Sequence, residues 1–275
     1  MRRSKWGIIP LLCLLCSTAT AQDEEEGILS SMGFTRHLIL SAGGAYHEVL
    51  DKSISSTRYQ GIGWAASIGT IKKNENHWSE VYLQYSHAPK LTKDLLEPTD
   101  PRISSYRAAF DYKQLIRKRL RNERLDFRYG GMLSSNYNWR HADHVANSGY
   151  AREFSINLGL AARLSKEIEL ADHRLAHLSW AAGVPLVGYY ARPDYLNNIN
   201  KIDPGDKPGA DFMANGTTKF IGKYLRVNSR LTYDYTLHNG NAIALGYTWD
   251  YYNINSDAPV WFAEHTLSLT FMFNY

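Results

Sequence analysis

From Leu267 to Tyr275 every second residue is large and apolar: Leu267, Leu269, Phe271, Phe273 and Tyr275. Thr266, Ser268, Thr270, Met272 and Asn274 stand between them. Successive side chains of a strand point to opposite faces, so this segment is a strand with one apolar and one mostly polar face. Such a strand needs backbone partners on its edges and an apolar medium for one side.

The same alternation recurs upstream. Ile243, Leu245, Tyr247, Trp249 and Tyr251 share one face, opposite Ala242, Ala244, Gly246, Thr248 and Asp250. Leu225, Val227, Leu231, Tyr233, Tyr235 and Leu237 oppose Arg226, Asn228, Arg230, Thr232, Asp234 and Thr236. Similar patterns run through Glu153–Leu164, Arg124–Leu133 and Tyr106–Lys113, and weaker ones near Arg36–Tyr46, Arg58–Ile71, Trp78–His87 and Ala176–Leu186. Pro185 lacks an N–H donor, so its strand is expected to bulge or break there. The count is about ten strands, with eight to twelve compatible with the pattern.

Connection lengths alternate. Short ones fall at 72–76, 119–122, 171–172 and 238–241, longer ones at 49–56, 89–102, 138–149, 193–216 and 254–261. A membrane barrel has short periplasmic turns and longer extracellular loops, and an even strand number returns the C-terminus to the periplasm. A secreted soluble β-sandwich would also alternate, with its apolar faces inward. Long strands, charges of both signs mixed with Gly and Ala on the polar face, and alternating loops favour the barrel. The expected fold is therefore all-β: an antiparallel transmembrane β-barrel over 34–275.

The N-terminus reads as an export signal. Arg2, Arg3 and Lys5 precede a short apolar stretch from Ile8 to Cys16, and Ala19-Thr20-Ala21 presents a small-x-small cleavage pattern. A signal peptide over 1–21 and a periplasmic lead-in over 22–33 follow. Cys13 and Cys16 would leave with the signal, so no disulfide or thiolate metal site is expected. The chain carries 31 Lys+Arg against 27 Asp+Glu, and removing Arg2, Arg3 and Lys5 leaves 28 against 27. That near-neutral balance has no compact basic patch for nucleic acid. After Gln22 no apolar run reaches the roughly 18 residues of a transmembrane helix.

The C-terminal run resembles the assembly signal of Gram-negative outer-membrane proteins, with Leu267, Leu269, Phe271, Phe273 and the terminal Tyr275 in the matching positions. The resemblance implies recognition by the barrel-assembly machinery, contact with outer-membrane lipid and residence in the cell outer membrane. The mature chain is also similar, in style and length only, to the small, mostly uncharacterised outer-membrane barrels of Bacteroidota.

Three sets of residues could carry function. The polar faces place Arg107, Asp111, Lys113, Arg124, Asp126, Arg128, Arg163, Arg226, Arg230 and Asp234 in the lumen. They read either as interior ion pairs filling a narrow barrel or as a charged constriction, anion-selective because Arg exceeds Asp. Near the outer rim His47, Glu48, His87, His141, Asp143, His144, Glu153, Asp250 and Glu264 gather. Of these His141, Asp143, His144 and Asp250 are the candidates for general-base activation of water, as in barrel proteases and lipid A or phospholipid hydrolases. No family motif supports that chemistry, and no Gly-x-Ser-x-Gly elbow or phosphate loop occurs. Tyr137, Trp139, Tyr189, Tyr190, Tyr251, Tyr252 and Trp261 read as an interfacial girdle, with a glycan platform as the alternative. No cofactor or metal is expected. The chain is read as a non-enzymatic barrel: a narrow pore, or a structural scaffold with a possible protein partner.

Overall fold

The computed structural model describes residues 35–52, 54–93, 102–121, 124–142, 150–170, 175–192, 216–255 and 259–275. The expected signal peptide, lead-in and most of the longest loops, with Asp143 and His144, lie outside the described residues. The chain divides into Met1–Thr35 and Arg36–Tyr275, and the second unit is the barrel.

Among the described residues eleven strands follow one another: β1 (Thr35–Asp51), β2 (Arg58–Lys73), β3 (His77–Leu91), β4 (Ile103–Lys118), β5 (Leu125–Ala142), β6 (Tyr150–Glu169), β7 (Leu175–Ala191), β8 (Thr217–Phe220), β9 (Tyr224–Thr236), β10 (Ala242–Ile254) and β11 (Val260–Asn274). They pair in the order β6-β5-β4-β3-β2-β1-β11-β10-β9-β7, and β6 pairs again with β7 to close the ring. The four-residue β8 pairs with β7 beyond the stretch that β9 covers, so β8 and β9 share one place in the wall. The ring is thus a closed antiparallel barrel of ten strands, as the alternation predicts.

Among the described residues closure gives each of the ten main strands two neighbours, while the short β8 bonds β7 alone. The main strands run 13 to 20 residues, longer than the roughly 9–11 needed to cross a bilayer. Ladder pairing continues to Asp51, Ala142 and Val260, so the connections at 52–57, 143–149 and 255–259 are shorter than the alternation alone suggests. The lengths still differ most at 92–102 and 192–216, and those two define the long-loop end of the barrel. The opposite, short-turn end is closed by tight chemistry. Asn74 Oδ1 accepts from the backbone N–H of Asn76 (3.0 Å) and His77 (2.6 Å), and Gly240 supplies a φ of 79° in the 237–241 turn.

The wall is interrupted where Pro185 foretells it. Leu158 of β6 faces Val187 of β7, but Gly159 faces Pro185, which leaves Leu186 as an extra residue. Across the other seam β7 pairs with β9 up to Gly183–Asn228, then resumes with β8 at Val187–Phe220. Leu186 O accepts from Ile221 N at 3.1 Å in between, and Gly222 turns the chain at φ 103°. Gly159 is held to glycine by close approach: a Cβ there would lie 2.2 Å from Val184 O and 2.6 Å from Pro185 Cα. Gly159→Leu is expected to block closure at this seam. The check is the heat-modifiable gel shift of the folded barrel, and a normal shift would refute the crowding argument.

The two faces are inverted relative to a soluble protein. Leu160 is 59% exposed and Leu267 58%, with Ile62, Leu83, Leu158, Leu245 and Leu269 also outside. Arg107, Lys113, Arg140, Glu153, Arg226, Asp250 and Glu264 are buried inside. No helix among the described residues is long and apolar enough to cross a membrane, which says nothing about a barrel.

Candidate functional site

The lumen is where this chain concentrates its charge, and it is filled. At the long-loop end Val49, Tyr59, Leu91, Ile103, Tyr190, Tyr224, Tyr252, Ile254, Val260 and Phe262 form an apolar cluster. Threaded through that level is an ion-pair group. Arg140 donates to Glu153, to Asp51 Oδ2 (3.2 Å) and to Tyr252 Oη (3.3 Å), and Tyr252 Oη donates to Glu153 Oε2 at 2.6 Å. Arg192 caps the group through Asp51. Two guanidinium groups thus meet two carboxylates, a neutral set.

The central layer is built on Asp250 of β10. Its carboxylate accepts from Arg107 Nη2 (2.5 Å), Arg226 Nε (3.0 Å), Arg226 Nη2 (2.6 Å) and Asn228 Nδ2 (3.0 Å). Arg107 also lies 3.2 Å from Glu264 Oε2, and Arg226 3.5 Å from Asp111 Oδ1. Glu264 accepts from Gln84 (2.7 Å), Ser86 (2.6 Å) and Thr266 (3.0 Å), with His47 Nε2 at 3.3 Å. Carboxylates on β10 and β11 therefore tie to donors on β1, β3, β4 and β9 across the lumen.

Below it, Lys113 Nζ bonds Glu80 Oε1 at 2.8 Å, and Trp78 Nε1 donates to Glu80 Oε2 at 2.9 Å. Ile39, Ile71, Trp78, Tyr82, Leu115, Met132 and Ala161 pack around them. A cavity of about 10 Å³, the room of a single water, lies among Asn136, Asn138, Glu153, Tyr190 and Tyr224. Asn136 Nδ2, Asn138 Oδ1 and Tyr190 Oη have no protein hydrogen-bond partner.

Measured against the sequence, Arg107, Asp111, Lys113, Arg128 and Arg226 lie buried in the lumen, while Asp126, Arg163, Arg230 and Asp234 are half-buried there. Arg124 is a correction: it precedes β5 in the turn and is exposed. The rim group also dissolves. His47, Glu153, Asp250 and Glu264 are buried inside, whereas His141 has the outward parity of β5, between buried Arg140 and Ala142. His141 and Asp250 stand on opposite sides of the wall and cannot share a water. Asp250 in addition accepts from Arg107, Arg226 and Asn228, which engages it as the anchor of the central ion-pair layer. Tyr190 and Tyr252 are corrected as well: both are buried inside, and only Tyr137, Trp139, Tyr189, Tyr251 and Trp261 keep the outward parity of a girdle.

The girdle has its own order. Trp64, His87, Tyr106 and Trp139 occupy one cross-strand row over β2 to β5. His87 stacks on Tyr106 at 4.2 Å and Tyr106 on Trp139 at 5.0 Å. Sequence reasoning missed Asp51, Glu80, Arg140 and Arg192 as lumen residues. Parity finds the first three, since each continues the inward side of a strand already recognised. Among the described residues no group of three His, Cys, Asp or Glu side chains is placed to hold a metal ion.

Comparison with known proteins gives fold likeness only. No family model and no curated protein sequence matches this chain. Among solved structures, the outer membrane protease OmpT from Escherichia coli is 10% identical, with a TM-score of 0.46 over 88% of this chain and 97% of that one. Neisserial surface protein A is 10% identical, with a TM-score of 0.34 over 86% and 97%. The translocator domain of the autotransporter NalP from Neisseria meningitidis is 9% identical, with a TM-score of 0.35 over 94% and 96%.

Proposed function

We propose that this chain is an outer-membrane barrel that acts as a closed, non-enzymatic scaffold, with its long-loop end outside and its short-turn end in the periplasm. The observation that carries the reading is the filled lumen. Arg107, Asp250, Arg226 and Glu264 bridge opposite walls at mid-height, and apolar clusters pack on either side of them. A barrel of this strand number has an interior that side chains can fill. The exposed apolar belt supports a bilayer around the wall and speaks against the secreted soluble alternative. Leu267, Leu269, Phe271 and Phe273 are exposed on the outer face of β11, the strand that meets β1 at closure, and Tyr275 is exposed just past its end. That position suits recognition by the assembly machinery before the ring shuts. A short terminal strand signal of this kind and an N-terminal leader together support export and outer-membrane insertion.

Planar-bilayer recording tests the scaffold against the narrow pore. Purified protein is expected to give no steady conductance steps. Reproducible steps from the wild-type chain would sink the closed reading, and their ion preference would then revive the constriction. The scaffold reading leaves the long loops and outer rim as the surface for a partner.

A further inference from the structure

The lower lumen contains a row of arginines that a merely closed interior does not account for. Arg117 on β4 faces Arg128 on β5, and Arg128 faces Arg163 on β6. Arg163 faces Ala181 on β7, which in turn faces Arg230 on β9. Like charges at directly opposed sheet positions repel. The carboxylates within reach are engaged elsewhere or at one end. Asp126 takes Arg117 (3.0 Å) and Arg128 (2.7 Å), and Glu75 reaches only Arg117, at 3.8 Å. Glu80 attracts both Arg163 and Arg230 but bonds Lys113 and Trp78, and Asp234 is held by His177 at 3.1 Å.

Arg163 and Arg230 form no ion pair among the described residues. They lie instead against aromatic faces, Arg163 at 4.0 Å over Trp78 and Arg230 at 3.9 Å over Tyr82. Arg128 and Lys73 approach the same Trp78 ring at 5.6 and 5.8 Å. A ring quadrupole attracts these cations without neutralising them. The Nε of Arg163 is buried and has no hydrogen-bond partner.

We propose that this arginine row is a binding site for a multivalent oxyanion of the phosphate class. Guanidinium forks match the oxygens of such an ion bidentately, which a halide cannot reproduce. Arg163 and Arg230 stand two strand spacings apart, about 10 Å at the backbone, with Ala181 between them on the wall and Glu80, inward between Trp78 and Tyr82 of β3, facing both. One ion with several oxygens can bridge both. The route in is the short-turn end. Arg117 is one residue from the end of β4 and its side chain is 30% exposed, whereas Arg230 sits mid-strand in β9. Strands tilt in a barrel, so the row climbs from that rim into the lumen. Above it the Asp250 layer closes the way, which makes the site a dead end that binds without transporting. Bilayer lipids touch the outer wall, so the ion comes from the aqueous phase. Binding rests on the row alone, while the assignment of its entrance to the periplasm rests on the orientation proposed above.

The test uses the full-length barrel in detergent micelles, titrated calorimetrically with inorganic phosphate and pyrophosphate against sodium chloride at matched ionic strength. Saturable binding of the oxyanions and none of chloride is expected. The double variant Arg163→Gln/Arg230→Gln should weaken it by about tenfold or more, Arg163→Lys by less, and the outward-facing Arg152→Gln not at all. Equal heats from chloride, or unchanged binding by the double variant, would overturn the site. Should that variant fail to fold, the wild-type protein decides by arginine modification with phenylglyoxal mapped by mass spectrometry. Phosphate protects Arg163 and Arg230 if the site exists and leaves them reactive if it does not. In oriented proteoliposomes protection from the short-turn side supports the entrance. Protection from the long-loop side alone would overturn it while keeping the ion site.

Discussion

Replacing Asp250 with alanine is expected to lower the unfolding free energy by about 3–5 kcal/mol, because it leaves two buried guanidinium groups with only their weaker partners. Arg107 and Arg226 both donate to this one carboxylate, and their side chains are 2% and 0% exposed. Without it Arg107 retains Glu264 at 3.2 Å and Arg226 only Asp111 at 3.5 Å. Asp250→Asn keeps the shape and part of the hydrogen bonding, so it should fall between wild type and alanine. Urea unfolding in detergent, followed by tryptophan fluorescence and by the heat-modifiable gel shift, measures the difference. The internal control is Glu48→Ala, which removes only the partly exposed Arg58 pair at 2.7 Å and should cost under about 1 kcal/mol. An Asp250→Ala loss no larger than that control would mean the central network does not hold the walls together.

The second large effect is expected on the outside. Leu160 lies midway along β6, the longest strand, and is more than half exposed on the wall. Arginine at a bilayer midplane costs about 2–4 kcal/mol in a barrel, falling toward zero at the interfaces. Leu160→Arg should therefore destabilise the folded barrel by that amount in lipid vesicles, whereas the same change at Trp139, in the aromatic row, should cost about 1 kcal/mol or less in charge burial. Unfolding titrations in vesicles give both values. Equal costs at the two positions would argue that the wall around Leu160 is not in contact with hydrocarbon.

Much of this fold was legible because a strand writes its two faces into alternate residues. β4, β6, β9, β10 and β11 could be read directly, and so could the slip at Pro185, since a missing N–H leaves its mark on any ladder. Strand ends were less legible. Near the long-loop end polar residues enter both faces, as with Arg140 inside and His141 outside in Asn138-Trp139-Arg140-His141-Ala142, and the contrast that marks a strand fades although the ladder continues. The girdle shows a signal that was present and unused. Tyr189 with Tyr190, and Tyr251 with Tyr252, are consecutive, so one of each pair had to face the lumen. The pairing of charges across the lumen was not legible at all. Arg107 and Asp250 are 143 residues apart, and Ser86 and Glu264 are 178 apart. Parity tells which side a charge faces. Which opposite charge it meets depends on shear and tilt, which no local stretch encodes.

Closure of β1 on β11 also sets a timetable. Ser41 and Thr270 share a hydrogen bond of 2.7 Å across 229 residues of sequence. Until the last strand is delivered, β1 offers an unpaired edge to any neighbouring strand, an invitation to aggregate. So non-local a final contact makes ring formation intrinsically slow. Survival of the newly made chain is therefore a race between that last pairing and self-association, and the outcome depends on whatever shelters the open ring in the interval.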